Sequence, residues 1–238
     1  MKSDRFKSLL VPQFGKKFLI MIIGIFLMGF FLSFLVEVDW GTDPYTFQNT
    51  VISTRLGWSL GTWQLCLNGV LFVLVIIFNR RLIGLGTLAN MVLVGYTVDF
   101  FRWVWRTCFP LLGRICTEPG FLWAKIVVFV LGILCFVIAA SLYMNADLGL
   151  SPYDGLAFII SQRLKGKIPV AVSRIAYDLS AVLIGILVSL GTGISILTAL
   201  IGSVAMALTL GPAIQIVGKF VNEKLLRIPS EKQGQEIS

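Results

Sequence analysis

The sequence predicts an all-α membrane protein: about six transmembrane helices plus two short broken or re-entrant helices, arranged as two inverted-topology repeats. Three observations carry this. The 238-residue chain is 57% hydrophobic and 13% charged, well below the roughly one-quarter charged residues of a soluble domain. Several apolar runs reach the ~20 residues that a helix needs to cross a bilayer. One motif also occurs twice. Asp39-Trp-Gly-Thr-Asp-Pro-Tyr45 closes the first apolar run, and Asp147-Leu-Gly-Leu-Ser-Pro-Tyr153 closes another 108 residues later.

The register between the copies runs without a gap from Lys17–Leu56 to Lys125–Leu164. Matched positions include Lys17/Lys125, Gly24/Gly132, Ser33/Ser141, Asp39/Asp147, Gly41/Gly149, Pro44/Pro152, Tyr45/Tyr153 and Arg55/Arg163. Chance matches between apolar stretches do not align charges, Gly and Pro, so the pattern reads as an internal duplication. Each copy carries a helix start. Asp43 and Ser151 are good N-caps, and Pro44 and Pro152 suit the first helical position. Gly41 and Gly149 allow a sharp break just before the cap. Short helices are therefore expected over 44–57 and 152–165. A helix-turn-helix corner at the membrane surface and a functional discontinuous helix of the transporter kind both fit this spacing.

In chain order, residues 1–17 form a basic cytoplasmic start (Lys2, Arg5, Lys7, Lys16, Lys17). Repeat 1 covers 18–101, with spans at Phe18–Val38, Gly61–Phe78 and Gly84–Phe101. Residues 102–120 are the loop between repeats, where Trp103 and Trp105 read as an interfacial belt. Repeat 2 covers 121–217, with spans at Phe121–Met144, Ile168–Leu190 and Ile194–Val217, the last two joined by a Gly191-Thr-Gly193 turn. A polar cytoplasmic tail follows over 218–238. Gly86-Thr87 aligns with Gly202-Ser203, and Gly95 with Gly211, in the third span of each repeat.

Three spans per repeat is an odd number, so the halves would be inverted in the membrane. With both termini inside, fourteen Lys and Arg fall on the cytoplasmic side and five outside, with Arg174 buried, as the positive-inside rule expects. Eight spans would satisfy the charge rule too. Six is preferred because ~14 residues reach only ~20 Å of a ~30 Å core.

Composition also excludes function classes. The net charge of +8 sits between apolar runs and serves topology rather than nucleic acid. There is no histidine, which removes the usual zinc, haem and Ser-His-Asp arrangements. No catalytic residue, metal site or cofactor is expected, and no phosphate loop or nucleophile elbow is present. Of the four cysteines, Cys66 and Cys135 read as small core residues. Cys108 and Cys116 share a loop and could pair if it faces an oxidising compartment.

Ionisable side chains inside spans are functional suspects. Arg174 and Asp178 stand four apart on the fifth span and share a face. They read either as an ion pair holding helices together or as a binding site, since the guanidinium fork suits carboxylate or phosphate. The candidate substrate-binding set is Arg174, Asp178, Asp154, Ser151, Tyr153, Asp43, Tyr45, Asn68 and Asn90. Gly41, Pro44, Gly149 and Pro152 form the structural breaks. Asn68 and Asn90 also suit hydrogen bonds between helices. Asp39 and Asp147 read as solvated caps, Asp99 with Arg102 as a surface pair, and Gly24, Gly29, Gly95 and Gly132 as close-packing positions.

These residues carry a resemblance. Asp39–Tyr45, Gly86–Asn90, Gly95–Asp99, Gly149–Leu156, Arg174–Asp178 and Gly211–Gln215 resemble the pattern of the YczE/YyaS/YitT family of bacterial multi-pass membrane proteins, nearest the YczE branch. The likeness covers about residues 18–217. Asp178 stands where that pattern has Glu, and the stretch from Asp178 to Gly202 is longer than usual. The resemblance implies a bacterial plasma membrane and no settled activity.

The function expected is a small secondary transporter or exporter with a midplane site between the repeats. The alternative is a non-transporting regulatory or accessory membrane protein. The expected partners are the lipid bilayer and a small-molecule substrate; a homo-oligomer is compatible with either reading.

Overall fold

A computed structural model describes residues 14–164, 167–190 and 196–222. The basic residues 1–13, residues 165–166 at the expected end of the second short helix, the Gly191-Thr-Gly193 turn and the tail from 223 onward lie outside the described residues. Among the described residues there are nine α-helices and no strand. These are α1 Phe14–Val38, α2 Pro44–Leu56, α3 Leu60–Asn79, α4 Leu85–Cys108, α5 Pro110–Thr117, α6 Leu122–Asn145, α7 Pro152–Arg163, α8 Val170–Ser189 and α9 Leu197–Val221.

Among the described residues five segments are long and apolar enough to cross a membrane: Phe14–Val38, Leu60–Leu82, Leu122–Asn145, Val172–Ser189 and Leu197–Val221. Helix α4 matches them in length at 24 residues but carries Asp99, Arg102 and Arg106. At 13 and 12 residues, α2 and α7 reach only about 20 and 18 Å, too short for a ~30 Å core. The surface fits a lipid solvent. Ile77, Leu197, Ile201 and Ile216 are each about 70% exposed, whereas Ser33, Asn49, Ser141 and Ser203 are fully buried. This is an all-α membrane protein.

At the centre, α1 and α6 run along one another, held close by glycine. A Cβ on Gly24 would lie 2.8 Å from the Tyr143 backbone nitrogen, and one on Gly132 would lie 2.8 Å from a Leu35 methyl. Leu35 and Tyr143 are themselves 108 residues apart. Helix α4 flanks α1, and α9 flanks α6. The short helices cross over: α2 packs chiefly on α8, and α7 on α3. Arg55 at the end of α2 donates to the Val188 carbonyl (3.0 Å), while Arg163 at the end of α7 lies over the Phe78 ring (4.6 Å). The crossings fit by opposite means. The Phe47 ring of α2 presses on Gly185 of α8, whereas Gly155 of α7 faces the Val75 side chain of α3.

The breaks before the short helices are alike. Asp39 (φ 56°) and Asp147 (φ 52°) are left-handed, as are Gly41 (φ 128°) and Gly149 (φ 113°). Asp tolerates that region better than most side chains, so Asp39 and Asp147 end the long helices by their backbone. The expectation of a merely solvated cap misses this. Each break lies against another helix. Gly86 N donates to the Leu148 carbonyl (2.8 Å), and Thr42 N donates to Ser203 Oγ (3.0 Å).

Several expectations need correction. Helix α1 begins at Phe14 rather than Phe18, and α9 spans Leu197–Val221 with Pro212 inside it. Helix α4 runs on to Cys108, so Arg102 is mid-helix and the loop between repeats holds α5. Trp103 is exposed, but Trp105 is buried and donates to Ser33 Oγ (2.9 Å); an aromatic belt would face lipid. Asp99 does not pair with Arg102. It accepts from Gly61 N (2.7 Å) at the start of α3, while Arg102 and Arg106 bind the buried Glu37 (2.6 and 2.9 Å). Cys66 faces outward, and Cys108 and Cys116 are free thiols.

Candidate functional site

The second copy of the motif builds an ion-paired cluster. Ser151 Oγ accepts from Asp154 N (3.1 Å) and donates to Asp154 Oδ2 (2.6 Å), fixing that carboxylate at the first turn of α7. Arg174 of α8 then bridges two acids, with Nη2 to Asp154 Oδ1 at 2.8 Å and Nε to Asp178 Oδ2 at 3.1 Å. Tyr153 OH donates to the other Asp178 oxygen at 2.8 Å. The guanidinium also lies 5.7 Å from the Tyr153 ring centroid, within cation–π reach. The cluster is graded in depth: the Asp178 side chain is 2% exposed, against 28% for Arg174.

The first copy repeats the geometry with neutral groups on its helices and a carboxyl, Asp43, at the cap. Asp43 Oδ1 accepts from Thr46 N (3.0 Å), the same cap that Ser151 makes. Tyr45 OH donates to Asn68 Oδ1 at 2.7 Å. Asn68 and Asp178 each lie eight residues past the first residue of their helix, and Gln64 and Arg174 each lie four past it. So Tyr45–Asn68 with Gln64 answers to Tyr153–Asp178 with Arg174. The copies meet face to face: the Tyr45 and Tyr153 rings lie 4.5 Å apart at 32°, and Tyr177 extends the stack at 4.7 Å from Tyr153.

The first copy leaves polar atoms unused. Among the described residues five side-chain atoms are buried without a hydrogen-bond partner: Asn222 Oδ1 just past α9, and in the first copy Asp43 Oδ2, Asn49 Nδ2, Thr50 Oγ1 and Gln64 Oε1. The four in the first copy sit on, or cap, α2 and α3. A cavity of about 200 Å³ lies beside α2 and is lined by Asp39, Thr42, Phe47, Thr50 and Ile196 among others. It does not reach the tyrosine stack, where Tyr45 and Tyr153 are both buried.

Of the nine predicted binding residues, the structure brings Arg174, Asp178, Asp154, Ser151 and Tyr153 into one cluster and Tyr45 and Asn68 into its neutral counterpart. Asp43 lies within electrostatic reach of Asp154 and Asp178. Asn90 is buried on α4, and none of the cluster's hydrogen bonds involves it. The sequence reading missed Gln64 and Tyr177. Gln64 carried a signal, since a polar residue four positions from Asn68 repeats the Arg174–Asp178 spacing.

Residues 15–219 match the family described as a family of unknown function (DUF6198). The chain is 26% identical over 141 residues to a *Bacillus subtilis* protein described as uncharacterized membrane protein YczE, covering 59% of this chain and 60% of that one. It is 25% identical over 225 residues to an uncharacterized *Haemophilus influenzae* protein, covering 94% and 93%. A third relative, the *B. subtilis* protein described as YyaS, is 23% identical over 138 residues, covering 58% and 65%. The matches thus span under two thirds of both *B. subtilis* relatives. No solved structure matches the chain. The family match covers most of the chain and takes in both breaks and every residue of the tyrosine-centred cluster, so the chain belongs to DUF6198 and is a YczE-like membrane protein.

Proposed function

We propose that the protein is a small secondary transporter or exporter of the bacterial plasma membrane. It is built from two inverted repeats with both termini cytoplasmic, and its site lies at the tyrosine contact between them. The observation that carries this is convergence. Two half-length helices, capped at Asp43 and Ser151, bring Tyr45 and Tyr153 together in the interior of a chain whose surface is apolar. Discontinuous helices that start at a polar centre are the recurring device of transporter folds. The crossed packing of α2 on α8 and α7 on α3 supports the repeat reading, since Phe47 on Gly185 and Gly155 on Val75 stand at matched positions of the two copies. No catalytic role is assigned, and a small-molecule substrate is the expected cargo.

The closed packing at the stack favours a second reading, a non-transporting regulatory or accessory protein, which needs no opening at its centre. Rewriting the second copy as the first separates the two: Arg174→Gln, Asp178→Asn and Asp154→Thr, the residues found at Gln64, Asn68 and Thr46. Removing all three charges together avoids the stranded ion left by single changes. The test compares metabolites inside and outside cells that express wild type or triple variant, with membrane insertion and monodispersity checked first. A transporter loses its export or uptake signature while the variant still folds. A triple variant with the wild-type signature would overturn the site.

A further inference from the structure

We infer that Asp43 is a proton-binding site: its carboxyl holds a proton while the centre is closed and releases it when the centre opens, so that transport is coupled to protons. This rests on the transporter reading and names the ion it uses.

The argument begins with charge. Asp43, Asp154 and Asp178 lie near one another around one cation, Arg174, whose guanidinium is already shared between Asp154 and Asp178. Asp43 has no ion-pair partner among the described residues. The residue is nine-tenths buried, at 9% exposure. One of its oxygens takes the Thr46 N–H and the other, Oδ2, takes nothing. A buried carboxylate without a counter-charge costs several kcal/mol, and such a group neutralises instead. A proton on Oδ2 removes the charge.

The second copy shows that the acid is surplus to the cap. Ser151 holds the equivalent helix start through Oγ with no charge at all, at 3.1 Å against 3.0 Å for Asp43. Asp43 thus keeps an ionisable group where a hydroxyl does the structural work.

The surroundings favour a proton over a metal. The described residues contain no group of three His, Cys, Asp or Glu placed to hold a metal ion. The charges facing Asp43 are Asp154 from α7 and Asp178 from α8, with Arg174 between them. Tyr45, Tyr153 and Tyr177 are the other titratable side chains there. From α3 come Asn68 and Gln64 and from α9 Ser203, none of which titrates. Both acids repel a second negative charge, so they favour the protonated form of Asp43.

The test reads the carboxyl itself and so does not depend on whether anything is transported. Full-length protein in lipid bilayers is examined by infrared difference spectroscopy at neutral pH, in ordinary and heavy water, for the C=O stretch of a protonated carboxylic acid. Wild type is expected to show a deuterium-sensitive band that is lost in Asp43→Ser and Asp43→Asn. Both substitutions keep a capping oxygen, so a fold failure in one leaves the other. The band should persist in Asp39→Asn. A band unchanged in both Asp43 variants, or absent from wild type, would overturn the inference. Titration with sodium chloride against N-methylglucamine chloride at fixed pH is the remaining arm. Loss of the band with sodium alone would overturn the proton in favour of an alkali cation.

Discussion

The two copies of the motif place a tyrosine at the same point and then treat it differently. Tyr153 gives its hydroxyl hydrogen bond to a carboxylate, Asp178, that is tied by Arg174 to a second carboxylate, Asp154. Tyr45 gives its own to a neutral amide, Asn68, beside a glutamine whose oxygen is unpartnered. The Tyr153 cluster is locked by charge with none of its buried polar atoms unpartnered, whereas the helix residues around Tyr45 are neutral and several buried polar atoms there lack a partner. The two occurrences of the motif thus separate rigidity from availability. The charged copy can hold a shape, while the neutral copy keeps the acceptors and donors that a ligand or a proton can use. That division moves attention away from Arg174. Its fork is committed to two carboxylates, so an anionic substrate would have to displace one of them.

The sharpest way to break the comparison is to make matched changes in both halves. Arg174→Met strands the buried Asp178 and the partly exposed Asp154 and is expected to cost about 3–5 kcal/mol. Gln64→Met removes an unpartnered oxygen at nearly constant volume and should stay within about 1 kcal/mol of wild type. Thermal unfolding of the purified proteins in detergent compares the two. Equal losses would mean that the halves are not divided as described.

The breaks, in contrast, should behave alike. A Cβ at Gly41 would lie 2.6 Å from Gly202 backbone atoms, and one at Gly149 would lie 2.5 Å from Gly84 N, both at positive φ. Gly41→Ala and Gly149→Ala are each expected to cost about 2–3 kcal/mol. The measurement is the same unfolding assay, and a large difference between the two would show that the breaks are not equivalent.

The smallest effect comes from the tyrosine hydroxyls. Tyr153→Phe loses a hydrogen bond to a charged acceptor, about 1.5–3 kcal/mol, and Tyr45→Phe loses a neutral one, about 0.5–1.5 kcal/mol. A double-mutant cycle of each with its partner, Asp178→Asn or Asn68→Ala, isolates the bond from the change in ring packing. A Tyr45→Phe cost that exceeds the Tyr153→Phe cost would invert the comparison.

The helix starts were legible because capping is local chemistry. Asp43-Pro44 and Ser151-Pro152 specify their helices within a few residues, and both appear as read. The Arg174–Asp178 pair was legible for the same reason, being one turn of helix. What the sequence hid is set by packing between distant segments. Asp99 and Arg102 are three apart and look like partners, yet Glu37, 65 residues from Arg102 in sequence, takes the guanidinium instead. Nor could the matching of Asn68 with Asp178 be found by identity, because the residues differ in kind and share only their distance from the helix start. Trp105 was misread because its neighbours in sequence suggested a surface, whereas its indole meets Ser33 inside the bundle.

The crossing of the short helices has a consequence for how the chain is made. Helix α2 finds its main support on α8, more than 110 residues downstream. A ribosome adds roughly 5–20 residues per second, so that support arrives several seconds after α2 has emerged. In the interval α2 and its Asp43 cap have α3 beside them, with Trp63 on Asn49, but lack the α8 wall. The first half therefore has to wait at the membrane, unfinished, until the second supplies its wall. Such a protein matures as one unit at the end of synthesis, and a ribosome that stalls before α8 leaves behind a fragment suited to degradation rather than to rescue.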